Sequence, residues 1–579
     1  MSIETRPRSL SVGAGETGDG SRSPPASKRP RGLLIAGYSV AGLLHLAVAS
    51  LTTRVTEIPL SAQFGLLQLL PPAYWIGMGL LGLATVLALR ERSDALTLVT
   101  GALLLAAIAG TPSLFEPNPR YWDSYLHLSL GQAIQGSGHL PAGNLGQYSA
   151  NWPGTFLLDA FVLLASGMPA ILLLTVYPFL TGAITFLALF VFIRSTFPRP
   201  VAGPATVLTS LFAVWAQYHL SPQSLGFIVM LLILSIIWRG ATRWRAVCAV
   251  LFVGLVVSHP TSTLVLLSIL AVLSISSLFP LRKSPEAKQD ARFARRVTVA
   301  YATTWFAWLF FHATASSEAA RTAILNRIGG LISLPEATLN LATARAVENL
   351  LPLAPLLRLG SLAIYGLLAI PSLIILARRE ASRPLARFLL AGLIGPGIIG
   401  GADILGFGGQ FYDRPLLFFS TLAPAMCLTA LQGIRIRLPK IAYPAVAAVL
   451  IAATLVAAST VYYQEAFNHV SNESVAISQF LDRTPPQAIV LDGTFPVPVW
   501  IDPTVRTPHV LVGYAQTYRT PLQNMSARNV YAVFDPTSEL WYRQWKGINI
   551  YAFYDSEQPS LSVIYSNGRG VVCLAGAMR

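Results

Sequence analysis

The sequence predicts a mostly α-helical protein: a polytopic transmembrane bundle of about thirteen spans, followed by a small α/β domain on the outer face. Three observations carry that reading. Of 579 residues, 53% are apolar and only 12% charged, with a mean hydropathy of +0.56; a soluble protein needs roughly twice that charged share to cover its surface. Apolar runs recur near the length of about 20 residues that a helix needs to cross about 30 Å of hydrocarbon. Lysine and arginine gather in alternate connecting loops.

The predicted spans are 33–52, 73–90, 95–112, 170–194, 201–218, 222–239, 245–258, 262–280, 296–313, 353–377, 387–405, 413–433 and 440–461. With the N-terminus inside, the tail 1–32 and the loops 90–94, 194–200, 239–245, 281–296, 378–387 and 434–440 hold 26 of the 41 lysines and arginines. The outer loops and helix ends hold only Arg54, Arg120, Arg321, Arg327, Arg345, Arg358 and Arg414. This is the positive-inside asymmetry. The net charge of +15 therefore orients the chain among membrane lipids and implies no nucleic-acid partner. Thirteen spans leave the C-terminal segment outside.

Residues 1–32 are rich in Ser, Gly, Pro and Arg without an apolar run, and read as a disordered cytoplasmic tail. The module 33–461 carries two long outer loops, 112–169 and 314–352. In the first, Tyr125–Ile134 has an amphipathic helical pattern, and Trp152–Ala165 is an apolar helix too short to span, lying between Pro153 and Gly167. Both read as helices lying at the membrane surface. Counting 152–166 as a span would place Arg194 and Arg199 outside and invert every later loop, which the charge bias rejects. The second loop repeats the pattern of apolar positions at helical spacing between Arg and Glu.

Beyond 461 the composition changes. The runs AIVLD, HVLVGYA, NVYAVFD, INIYAFY, SVIYS and GVVCLA alternate with turn residues and read as strands. The segment SNESVAISQFLD over 471–482 predicts a helix before the first strand, so 462–579 reads as an extracytoplasmic α/β domain. It carries two Asn-x-Ser sequons, at Asn472 and Asn524. Cys248, Cys427 and Cys573 give no disulfide or Cys-metal framework.

In a membrane protein, ionisable groups near membrane depth are costly and point to function. Of eight histidines, only His45 falls within the first span, and none lies in an inner loop. His469 and His509 belong to the tail and need no special account. His127, His139, His219, His259 and His312, with Glu116, Arg120, Asp123, Asp413 and Arg414, describe a polar outer cavity mouth. Asp123 and His127 are four residues apart and share a helix face. A carboxylate there can take a proton from an acceptor hydroxyl, or hold a divalent cation (Mg or Mn) together with Glu116 or His127. His219, in WAQYHLSPQSLGF with Gln223, and His259, in VVSHPTST, sit in outer turns. A lone His at a helix end is more often interfacial than a ligand; two in turns on one side can hydrogen-bond a phosphate. Arg414 suits a phosphate at the outer edge of a span, with the adjacent Asp413 as its rival local partner.

Together, YWDSYLH, YSANWPGTFLL, YHLSPQSLGF, SHPTST and FYDRPLLFF make residues 110–435 resemble the GT-C superfamily of polyprenyl-phosphate-sugar-dependent glycosyltransferases, in its archaeal and bacterial branches. Many members also carry an outer C-terminal domain. The resemblance implies an inverting transfer of a sugar from a polyprenyl-phosphate donor to a glycan, protein or lipid acceptor on the outer face. Asp123 is placed like the first-loop acid that serves there as base or metal ligand. Family members often show Asp-x-Asp or Glu-x-Asp; this chain has Asp123-Ser124-Tyr125. Nothing resembles a Rossmann or P-loop motif, which argues against a nucleotide-sugar donor. Two other classes compete. A transporter or flippase predicts ionisable residues near the bilayer centre, where His45 and Asp403 are the main ones. A non-catalytic subunit of a glycan-assembly complex predicts that Asp123 is dispensable.

Overall fold

The computed structural model describes residues 29–59, 64–140, 150–212, 216–239, 244–276, 285–314, 353–379, 383–407, 413–433, 468–481, 489–492, 509–511, 530–536, 549–557 and 561–575, with 62, 318, 321, 483, 538 and 539. Helices stand at twelve of the thirteen predicted span positions. They are α1 (Arg29–Thr52), α2 (Pro72–Arg90), α3 (Asp94–Phe115), α6 (Ala170–Thr196), α7 (Arg199–Phe212), α8 (Pro222–Arg239), α9 (Arg245–Ser258), α10 (Pro260–Ser276), α11 (Pro285–Phe311), α12 (Leu353–Arg378), α13 (Arg383–Phe407) and α14 (Asp413–Gly433). Between α3 and α6 lie α4 (Trp122–Ser137) and α5 (Gly154–Ser166). Range 440–461, most of loop 314–352 and nearly all of tail 1–32 lie outside the described residues.

Seven of these helices, α1, α2, α3, α6, α8, α13 and α14, are long and apolar enough to cross a membrane. Within the predicted span 201–218 the described helix is α7, and residues 216–218 are not helical. The sequence beyond it carries Gln217, His219 and Ser221 ahead of Pro222, polar groups that leave the helix to build a turn. The 27-residue α11 begins in the basic stretch PEAKQDARFARR, well before its apolar half.

The ends of α3 define the two ends of the bundle, roughly 33 Å apart at 1.5 Å per residue. At its start, Ser93 Oγ accepts from the Leu96 N–H, and Asp94 lies 3.5 Å from Arg194 and 3.6 Å from Arg199. Arg31 pairs with Glu91 nearby. Three segments predicted to share one side therefore meet. At its other end α3 runs into Glu116 and the residues of the candidate site.

Helix α3 packs most extensively on α6, and the contact depends on Gly182. A Cβ there would lie 2.8 Å from the Leu105 carbonyl oxygen and 3.1 Å from Ala106 Cα, both backbone atoms. Small residues allow such close helix approach. Gly182→Ala must separate the two backbones, and we expect a loss of about 1–3 kcal/mol, read as a lower thermal unfolding midpoint in detergent.

After the bundle, α15 (Asn472–Leu481) precedes a five-stranded mixed sheet: β1 (Ile489–Asp492), β2 (His509–Leu511), β3 (Val530–Phe534), β4 (Leu561–Ser566) and β5 (Val571–Ala575), in the order β2-β1-β3-β5-β4. β1 is parallel to β2 and β3, whereas β5 is antiparallel to β3 and β4. Ile477 and Leu481 of α15 pack on Val490, Val533 and Val572. The run INIYAFY, predicted as a strand, is instead α16 (Ile550–Glu557). Asn549 Oδ1 accepts from the N–H groups of Tyr551 and Ala552, and Glu539 accepts from Ile550 N–H. Capping of three first-turn donors outweighs the β-propensity of the aromatic residues.

Candidate functional site

The path from α3 to α4 is short and rigid. Pro117 and Pro119 restrict it, and Tyr121 takes φ +70°, a region in which a side chain with Cβ is strained. That conformation presents the Tyr121 N–H to the Asn468 carbonyl at 3.0 Å and lays its ring on His219, with centroids 4.1 Å apart. Helix α4 then starts with Asp123 in its first turn, where the helix dipole favours negative charge.

Asp123 and His127 stand one turn apart on α4. The turn before α8 brings His219 Nε2 to 3.2 Å from Asp123 Oδ2. Burial disfavours the Asp123 charge, but His219, His127 and the Ser124 backbone outweigh it and hold the carboxyl below its ordinary range. The Asp123 side chain keeps 28% of its surface exposed, so it is reachable.

Two histidines have tautomers fixed by the backbone. His127 Nδ1 lies 2.9 Å from the Leu220 carbonyl oxygen, which can only accept, so Nδ1 carries the proton and Nε2 the lone pair. Burial lowers the His127 pKa, countered in part by Asp123, which favours this neutral form. His259 is the reverse: the Ser262 N–H donates to its Nδ1 at 3.2 Å, leaving the proton on Nε2. Burial first, then Arg414 and His127, lower its pKa to about 3.

A group that refuses a proton when folded, but binds one near pH 6.5 when unfolded, costs stability as pH falls through that interval. His259 contributes nothing to this loss above pH 6.5. Below it, the wild-type protein should lose up to about 1.4 kcal/mol per pH unit toward pH 3. His259→Asn keeps an acceptor for Ser262 and removes the titration, so its unfolding midpoint should fall less steeply from pH 6.5 to 4.

A small cleft lies next to the His219 that pairs with Asp123, its mixed lining including Arg120, Tyr121, Ser124 and His219 together with Pro112 and Leu174. The Ser124 hydroxyl in its wall is buried without a hydrogen-bond partner. Gln223 is buried in the first turn of α8. Arg414, in the first turn of α14, acts on His259. The side chain of Asp413 lies outside the described residues.

Glu116 does not join this cluster. Its carboxylate, fully buried, pairs with Arg120 on one oxygen and with His469 Nδ1 at 3.2 Å on the other. Burial pushes the Glu116 carboxyl up, against the pull of His469. The expected cation set of Glu116, Asp123 and His127 is therefore not assembled, and among the described residues no three His, Cys, Asp or Glu side chains converge to hold a metal. The five histidines also divide. His219 and His127 act on Asp123, and His259 is coupled to His127 and Arg414, whereas His139 bonds locally to Leu140 and His312 reaches the Ala150 carbonyl, both exposed. Separate positions along the sequence do not show which turns meet.

Sequence reasoning missed three residues. His469, set aside as part of the tail, is buried against Glu116 and the Thr56 carbonyl. Tyr121 carries no motif that signals its positive φ. Asp159, on α5, is 3% exposed with one carboxylate oxygen lacking a partner, and burial raises its pKa well above the usual range. A single acid in the apolar run FLLDAFVLLA was a readable signal.

No protein-family model matches the sequence, nor does any curated protein. Solved structures resemble it: ArnT from Cupriavidus metallidurans in the apo state, 14% identical, with a TM-score of 0.45, covers 83% of this chain and 98% of its own. The same protein bound to undecaprenyl phosphate is 13% identical, with a TM-score of 0.45, and covers 82% of this chain and 97% of its own. Likeness at this level carries no inference about chemistry.

Proposed function

We propose that the protein is a membrane glycosyltransferase that moves a sugar from a polyprenyl-phosphate donor to a hydroxyl acceptor, with Asp123 as base. The observation that carries this reading is Asp123, held ionised by His219, with Tyr121, Ser124 and His219 around it lining a small cleft of mixed polar and apolar residues at one end of an apolar helix bundle. A lipid tail suits the apolar helices, and a sugar phosphate suits the polar residues of the cleft. In our reading the N-terminus is cytoplasmic and the site faces outward, as the charge asymmetry predicts.

The acceptor oxygen attacks the anomeric carbon, the bond from that carbon to the phosphate oxygen breaks, and its electron pair leaves with the lipid phosphate. Configuration inverts. The acceptor proton goes to Asp123, and the phosphate gains one negative charge. Arg120 beside the cleft, His259 through Nε2–H, and Arg414 are the groups to stabilise that charge; Gln223 and the Ser124 hydroxyl are suited to orient the sugar. His219 holds Asp123 charged before transfer. No step requires a metal.

The transporter alternative gains little from His45, whose Nδ1 bonds back to the Ala41 carbonyl of its own helix. The test is release of polyprenyl phosphate from labelled polyprenyl-phosphate sugars, with acceptor-containing membranes carrying the wild-type protein. Release coupled to sugar appearing on an acceptor is expected. Translocation of intact donor without cleavage would overturn the reading.

A further inference from the structure

We propose that the segment entering α15, residues 468–472, is a clamp that holds the Asp123 loop in working geometry, and that His469 is its positioning residue. The role assigned to Asp123 rests on the function proposed above; the clamp itself rests on contacts.

Those contacts converge from three directions on the six residues between α3 and α4. The Asn468 carbonyl accepts from Tyr121 N–H at 3.0 Å. Asn118 Nδ2 donates to the Val470 carbonyl at 3.0 Å and to Asn472 Oδ1 at 2.9 Å, so the Asn472 side chain of the first sequon is engaged here. His469 Nε2 donates to the Thr56 carbonyl at 3.0 Å, and its Nδ1 meets Glu116 Oε2. Both partners of the ring are oxygen acceptors. The segment after α1 is tied to the same point by Val55 N–H on the Phe115 carbonyl and by Arg54 on the Glu116 carbonyl.

The clamp is itself anchored. Ser471 Oγ accepts from Ser474 N–H at the start of α15, and Ser474 Oγ donates to Asp535 Oδ2 at the end of β3. The path thus runs from the sheet through α15 to Asn468, then to Tyr121, whose ring lies on His219, and from His219 to Asp123. Tyr121 shows why a clamp is needed. A tyrosine at φ +70° relaxes unless its surroundings over-determine it, and its N–H bond to Asn468 is what this conformation presents. If Tyr121 relaxes, the His219 ring loses its stack and Asp123 loses the partner that keeps it charged in a buried place.

The experiment uses the full-length protein in lipid nanodiscs, as wild type, His469→Ala, His469→Asn and Asn118→Ala. His469→Asn keeps a donor toward Glu116. Two readouts are taken: steady-state transfer across pH, and deuterium exchange of peptides covering 117–128. We expect His469→Ala to lower kcat by about 10–100-fold, the cost of a misplaced catalytic group, with donor KM within about twofold. The acid limb of its pH profile should move to higher pH, because Asp123 no longer has His219 against burial. Exchange in 117–128 should rise while that in α8 and α10 does not. Asn118→Ala should move both readouts the same way by less, and His469→Asn should recover part of the loss.

Wild-type exchange in 117–128 for both His469→Ala and Asn118→Ala overturns the clamp, whatever the activity. So does a loss of kcat with an unmoved acid limb, or a rise in exchange throughout the bundle with Asn118→Ala silent. If the wild-type protein transfers no sugar, the proposed reaction fails while the exchange measurement still decides the clamp.

Discussion

Asp123→Asn is expected to reduce sugar transfer by about 10²–10⁴-fold, the range over which a positioned base accelerates proton transfer, while leaving the protein folded in the membrane. The substitution is nearly isosteric. The amide oxygen can still accept from His219 Nε2, so the contact at 3.2 Å can survive, and the exposed part of the side chain imposes no new burial. What disappears is the proton acceptor. His127→Asn provides the comparison: its amide can still donate to the Leu220 carbonyl, as His127 Nδ1 does, but the lone pair of Nε2 is gone. A smaller loss for His127→Asn than for Asp123→Asn assigns the proton to the carboxylate, and the reverse order assigns it to the imidazole. The pH profile adds a sign. A carboxyl held below its ordinary range supports activity above that value and loses it as pH falls through it, so the wild-type acid limb should lie below the ordinary carboxylate range. Transfer by Asp123→Asn within about twofold of wild type would remove Asp123 from the chemistry, since no base of comparable effect is so easily spared.

Much of this is legible in the sequence itself. Span positions follow from runs of apolar residues, a one-dimensional property, and helices stand at nearly all of them in the described residues. The pairing of Asp123 with His127 followed from a spacing of four. Legibility failed where outcome depended on partners distant in sequence. INIYAFY has strand composition, yet Asn549 and Glu539 cap it into a helix. The sequence offers Glu116 as a co-ligand for a cation at Asp123; in space its partners are Arg120 and a histidine 353 positions away. Tyr121 has a backbone conformation that its residue type disfavours, and its N–H meets the Asn468 carbonyl, a partner far along the chain. His219 and His259 read as a pair of turn histidines on one side, but that His219 pairs with Asp123 while His259 is coupled to His127 and Arg414 is a property of helix packing. Local chemistry names most of the groups; contacts between residues far apart in sequence show which of them meet.

The largest stability effect should come from Glu116. Its carboxylate and the Arg120 guanidinium are almost completely withdrawn from solvent, with side chains 0% and 2% exposed. Removing one member of such a pair leaves the other charge buried without its counter-ion, which costs about 3–5 kcal/mol, whereas replacing both by apolar groups of similar size is often nearly neutral. Glu116→Leu should therefore lower the thermal unfolding midpoint steeply in detergent, and it should do so more than His469→Ala, which leaves Arg120 paired. The double variant Glu116→Leu with Arg120→Met should recover most of that loss. Its activity should not recover, because Arg120 also lines the cleft and its positive charge is assigned to the leaving phosphate. Stability and transfer then separate in one protein: a bundle close to wild type in its unfolding midpoint that no longer turns over. If the double variant instead unfolds as readily as Glu116→Leu, the ion pair was not the source of the loss. If it is both stable and active, the charge on the leaving phosphate must be met by His259 and Arg414 without Arg120.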